Sequence, residues 1–174
     1  MRSWPVCLAA AVLQACQAST TRPGFMPMPE EPSYEVRLSV PEATRLLAAA
    51  MADSFPLKQV EERDGYLETE WFSVPGFTPV KGRVLNSAVD KIRGWIDPGP
   101  PFHSVITVEI VYRYGDDPSR DPREFEQPVH DTHTARQMML GILKGLTDRY
   151  GDTTGEVVLF GSDSLRVKPD TAGN

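Results

Sequence analysis

Apolar and polar residues alternate most cleanly over Ser104–Tyr114. Ile106, Val108, Ile110 and Tyr112 fall on one side and Thr107, Glu109 and Arg113 on the other, as in an antiparallel strand with one buried and one wet face. Ala88–Asp97 has the same period, with Ile92, Gly94 and Ile96 set against Arg93, Trp95 and Asp97. That alternation favours a strand, although Ser87–Trp95 can also be drawn as a short helix. Pro98-Gly99-Pro100-Pro101 ends it. Tyr34–Leu38 predicts a first strand, with Tyr34, Val36 and Leu38 on one face. Leu57–Glu62 and Tyr66–Val74 predict a hairpin about Asp64-Gly65, a pair suited to a type I′ turn because glycine tolerates φ > 0. Residues 75–87 read as a loop.

Two stretches change period. Ser39-Val40-Pro41-Glu42 fits a capping box and predicts a helix to about Ser54. Ala43, Leu46, Leu47, Ala50 and Ser54 form its stripe. From about Thr132 to Tyr150 the apolar positions Ala135, Met139, Ile142, Leu146 and Tyr150 predict a second helix, with Gly151 as the residue after its end. Asp116–His130 is a polar loop, and Glu156–Phe160 reads as a short final strand or packed tail. The predicted order is β-α-β-β-β-β-α. It implies an α+β domain: an antiparallel sheet of four or five strands covered on one face by two helices. The opposite face is expected to be partly wet, carrying Glu109 and Arg113. Trp71, Phe72 and Trp95 fall on strands and are expected in the core, with an exposed aromatic patch as the alternative.

The N-terminus follows different rules. Arg2 supplies a positive start, Val6–Leu13 an apolar run, and Ala15 a small residue ahead of Cys16. The run is well short of the ~20 apolar residues that span a bilayer. These are the parts of a cleaved secretory signal. Leu13-Gln14-Ala15-Cys16 resembles the lipobox of bacterial lipoproteins, departing from it at Gln14, where a small residue is usual. That resemblance implies cleavage between Ala15 and Cys16 and lipid attachment, acyl chains included, at Cys16. A plain cleaved signal with a chance cysteine, or a cytosolic protein with a misread start, are the alternatives. The chain has two cysteines, Cys7 and Cys16. Loss of Cys7 with the signal leaves Cys16 without an intrachain partner, and thioether lipidation accounts for it.

The expected organisation is a signal peptide over 1–15, a lipidated Cys16 and Pro-rich linker over 16–33, one domain over 34–160, and a frayed tail over 161–174. Pro23, Pro27, Pro29 and Pro32 stiffen the linker and deny it a helix. The net charge is −6, and removal of Arg2 with the signal makes it more negative. That balance, without a Lys/Arg cluster, argues against a nucleic-acid partner and against attraction to anionic lipid heads.

The chemistry-bearing candidates are few. His130 and His133 lie three apart near a helix start, where they could share a metal with Asp116, Asp117 or Asp121. The competing reading makes Asp131 or Thr132 an N-cap. Asp116–Asp121 is acidic but lacks the ligand alternation, central Gly and closing Glu of a calcium loop. Glu61/Glu62 and Glu68/Glu70 could be drawn as paired carboxylates, but on a hairpin, with no nucleophile or second His beside them, they are expected on the wet face. His103 is expected to be structural. Phosphate-binding, dinucleotide and nucleophile-elbow motifs are missing.

With these elements in place, the run from Tyr34-Glu35-Val36-Arg37-Leu38 through Pro41-Glu42-Ala43 and Leu46-Leu47 to Asp64-Gly65-Tyr66-Leu67-Glu68-Thr69-Glu70-Trp71 resembles the helix-grip domain of BamC. BamC is an accessory lipoprotein of outer-membrane β-barrel assembly. The resemblance covers about forty residues and implies a helix-grip-like fold and an envelope location. BamC carries two such domains and a long N-terminal segment, whereas this chain has one domain and a short linker. The expectation is a non-enzymatic envelope protein that takes no cofactor. It would be held by lipid to a periplasm-facing membrane, the outer one by preference, and would bind another envelope protein. A small-ligand-binding lipoprotein and a metal-dependent hydrolase using His130 and His133 are the alternatives.

Overall fold

The computed structural model describes residues 22–29, 31–82, 87–115 and 119–151. Its elements are β1 (Ser33–Val36), α1 (Val40–Met51), β2 (Leu57–Glu61), β3 (Tyr66–Thr69), β4 (Phe72–Ser73), β5 (Thr78–Pro79), β6 (Val89–Pro98), β7 (Ser104–Arg113), β8 (Gln127–Pro128) and α2 (Thr134–Tyr150). A 3₁₀ turn at Pro122–Phe125 precedes β8. The main path through the antiparallel sheet is β1-β7-β6-β3-β2, with β4 beside β6 and β8 beside β7. Both helices pack on one face, so the expected α+β architecture is the one observed.

β6 and β7 form the spine. They pair without a break from Val89 opposite Arg113 to Pro98 opposite Ser104, which settles residues 89–98 as strand. The positions facing the helices are those the alternation selects: Ile92 and Ile96 from β6, and Ile106, Val108 and Ile110 from β7, all in the core. Between Ile92 and Ile96, Gly94 has no side chain. A Cβ there would stand 3.2 Å from the Leu67 side chain and 3.5 Å from Leu47 of α1, so the glycine lets this helix approach the sheet closely.

α1 starts as its sequence dictates. The capping box of Ser39 and Glu42 forms, and the Ser39 N–H donates to the Glu42 carboxylate at 3.2 Å. The helix ends at Met51 rather than Ser54. Its buried positions are Ala43, Thr44, Leu47, Ala48 and Met51, whereas Ala50 is exposed. The face is rotated because Thr44 can bury its hydroxyl by donating to the Val40 carbonyl at 2.8 Å. In α2 the N-cap is His133, not Asp131 or Thr132, and Leu143 rather than Ile142 joins Ala135, Met139 and Leu146 inside. Gly151 stays at φ −75° and closes the helix as its C-cap, donating to the Thr147 carbonyl at 2.7 Å.

The β2–β3 hairpin uses a four-residue loop between Glu61 and Tyr66. Gly65 is its only left-handed residue (φ +62°), so the turn is not type I′. The chain needs glycine there because the Ile96 N–H donates to the Gly65 carbonyl at 2.8 Å, pressing the turn against β6. The predicted strand Tyr66–Val74 breaks at Glu70–Trp71. At the break the Thr69 hydroxyl accepts the Ile92 N–H at 3.0 Å, standing in for a ladder bond.

The face away from the helices departs most from expectation. Glu109 is fully buried and Arg113 is 7% exposed. The covering comes from residues 22–29 on one side and the 119–128 segment on the other. Ala15, Cys16 and Glu156–Phe160 lie outside the described residues.

Candidate functional site

Alternation places Lys91, Arg93 and Trp95 of β6, Glu109 and Arg113 of β7, and Tyr66 and Glu68 of β3 on this second face. Register then sets Arg93 beside Glu109 on one neighbour and Glu68 on the other. The Arg93 guanidinium donates to Glu109 at 2.9 Å and, through both terminal nitrogens, to Glu126 at 2.7 and 2.6 Å. Arg123 grips Glu109 with two bonds of 2.6 and 2.7 Å. Glu68 takes Lys58 at 2.6 Å, Lys91 at 3.5 Å and the Tyr66 hydroxyl at 3.1 Å. Arg113 and Lys91 sit over the Trp71 ring at 4.1 and 5.1 Å.

Ionisation in this cluster is decided by competition between burial and charge. Burial pushes the Glu109 carboxyl up, but bonds from Arg123 and the Met28 N–H outweigh it and hold the group below the ordinary range. Glu68 follows the same logic, with Lys58 and Lys91 overcoming burial. Burial lowers Lys91, despite Glu68. Arg93 stays charged because Glu126 and Glu109 offset its desolvation. Bidentate, charge-assisted pairs of this kind compensate the cost of taking ions out of water.

The cluster fastens its own covering. Phe25 stacks edge-on against Trp95 at 6.2 Å and lies under the Arg123 and Arg93 guanidinium carbons at 4.4 and 5.2 Å. Met28 N–H donates to Glu109 at 2.7 Å, and the Met26 carbonyl accepts from Arg123 at 3.1 Å. Arg22 pairs with Asp97 at 2.8 Å, and Glu31 with Arg136 at 3.2 Å. Residues 22–29 of the expected linker are therefore a strap across the sheet. Sequence reading put Glu68, Glu109 and Arg113 on a wet face and did not single out Arg93, Arg123 or Glu126. The signal was charge at alternate positions of the two longest strands, whose partners lie in a distant loop.

The metal candidates separate. His130 is exposed, and His133 turns to Asp90, with Nε2 3.4 Å from the carboxylate. Asp121 caps the 3₁₀ turn by accepting from the Arg123 N–H at 2.9 Å. Among the described residues no group of three or more His, Cys, Asp or Glu side chains is placed to hold a metal ion. Asp116 and Asp117 lie outside them. Glu70 is exposed while Glu68 is spent in the ionic cluster, so the two do not form an acid–base pair. His103 is tied to its own turn, Nδ1 lying 3.0 Å from the Pro101 carbonyl.

Asp90 is 1% exposed, and among the described residues its carboxylate accepts no hydrogen bond. Burial raises it from 3.8 to about 6, against the pull of His133. Burial likewise raises Glu31 from 4.5 to about 7, despite Arg136. Folded values above unfolded ones mean that the native state keeps protons the unfolded chain releases. The stability these two groups contribute is complete below their ordinary values and is lost as pH rises through about 6 and 7. Glu68 and Glu109, shifted downward, act oppositely and lose stability as pH falls below the ordinary 4.5. Urea unfolding should therefore show greatest stability near pH 4.5 and a decline from there to about pH 7. An Asp90→Asn/Glu31→Gln variant should remove about 2 kcal/mol or more of the decline toward pH 8. An unchanged pH profile in that variant would refute the assignment.

Recesses are small or open. One between β7 and α2, lined by Glu31, Val108, Ile110, Arg136, Met139 and Leu143, holds about 10 Å³, room for about one water. A groove of about 540 Å³ opens beside the β6–β7 turn and is lined by Arg37, Ser39, Glu42, Pro100, Phe102 and His103. No described helix is long and apolar enough to cross a membrane. The sequence matches no protein-family model and no curated protein.

Proposed function

We propose that the protein is a lipid-anchored, non-enzymatic component of a bacterial envelope whose domain binds another envelope protein. The observation that carries the proposal is Leu13-Gln14-Ala15-Cys16 at the end of an apolar run, with Cys16 the one cysteine left after cleavage. Periplasm-facing attachment, to the outer membrane by preference, follows from that anchor. Two structural facts support a binding role. The described charges on the second face are engaged with one another and with the strap, and β2 pairs only with β3 among the described strands. On this edge strand Lys58 and Val60 are exposed. An extended segment of a partner can add there as a further strand.

The test combines fractionation with a photocrosslinker at Val60. The wild-type chain should sediment with membranes and crosslink to one discrete protein, and Cys16→Ser should move to the soluble fraction and lose that product. Membrane association of Cys16→Ser, or crosslinks to abundant lipoproteins alone, would overturn the proposal.

A further inference from the structure

The turn between β6 and β7 is built around an unpacked aromatic ring. Pro98, Pro100 and Pro101 fix most of its backbone. His103 N–H closes it by donating to the Pro100 carbonyl at 2.9 Å, and Gly99 N–H donates to the His103 carbonyl at 3.0 Å. Phe102 occupies the position of this turn that favours glycine, with φ +69°. A side chain in that left-handed region strains the backbone. The ring recovers none of that cost within the domain, because Phe102 is 93% exposed. The same turn thus carries a backbone penalty and a hydrophobic one, and burial of the ring in an apolar phase outside the domain would offset both.

Chain geometry says which phase is near. Arg22, bonded to Asp97 and to the Asp64 carbonyl, enters the domain one residue before this turn begins. Cys16 is six residues earlier, and six residues reach at most ~21 Å. A lipid on Cys16 therefore holds the bilayer surface within that distance of the Arg22 entry point, at the Phe102 end of the sheet. Burying one Phe ring is worth too little to hold a protein from free solution. Beside a tether that sets a high effective concentration, it is enough to select an orientation.

We propose that the Pro98–His103 turn is a membrane-contact tip, with Phe102 entering the boundary between headgroups and acyl chains. This inference rests on the lipid-anchor reading of Cys16, and its test separates the two. The chain beginning at Cys16 is coupled through that cysteine to a maleimide phospholipid in phosphatidylcholine vesicles with brominated acyl chains. Phe102→Trp is compared with Val60→Trp, each against the unsubstituted chain. The emission added at 102 should be quenched and shifted to the blue, and that added at 60 should be unaffected. Equal quenching at both positions, or none at 102, would overturn the tip. Because the tether is installed chemically, neither result bears on whether Cys16 is lipidated in the cell.

Discussion

Arg93→Met should lower the unfolding free energy by roughly 3–5 kcal/mol, because it removes one partner from a buried ionic cluster and leaves the others uncompensated. The Arg93 side chain is 6% exposed, and the carboxylates of Glu109 and Glu126 that it meets are 0% and 2% exposed. Methionine fills much of the volume but donates nothing. Glu126 then keeps only the 3.0 Å contact from Arg123. Urea unfolding at pH 7 measures the loss. One feature separates this cause from simple misfit. Arg93→Met/Glu126→Leu should be less damaged than Arg93→Met, since Arg123 still holds Glu109 with two bonds. A loss for Arg93→Met below about 1 kcal/mol, the scale of an exposed ion pair, would refute the cluster's role.

Gly65→Ala should be the most damaging change of a single methyl. A Cβ at this position would lie 2.0 Å from the Ile96 carbonyl oxygen and 2.8 Å from Cγ1 of Val40, on a backbone already at φ +62°. Neither the oxygen nor the bond it borders can move without opening the contact between the hairpin and β6. The expected loss is ~3 kcal/mol or more, accompanied by faster hydrogen exchange at Ile96. Gly82→Ala isolates the backbone part. Gly82 is also left-handed, at φ +88°, but nothing stands within 4 Å of its Cβ position, and its cost should be about 1 kcal/mol. Equal melting temperatures for the two variants would show that the close approach does not matter.

The spine of the fold was legible because β6 and β7 bury one apolar side, and alternation reports that side directly. The capping box at Ser39 and the α2 positions Ala135, Met139 and Leu146 were legible because their signals are local. What was not legible is what the other face meets. A charge at every second position looks the same whether it meets water or an opposite charge. Glu109 finds its partners in Arg93, 16 residues away, and Arg123, 14 residues away, and no local pattern announces either. The prolines of 23–32 misdirected the reading in a related way. They forbid a helix, but an extended segment lies flat on a sheet as readily as it stands free. Phe25 and Met28 carry the docking, and a lone aromatic in a Pro-rich run gives little warning of it. At the β6–β7 turn the prolines announced the reversal, whereas the left-handed backbone at Phe102 became visible only with coordinates.

Intact-mass analysis of the chain purified from membranes tests the proposed anchor at Cys16 most directly. The expected species lacks residues 1–15 and carries diacylglycerol on Cys16. A chain retaining Met1, or one cut before Cys16 with its thiol free, would contradict it.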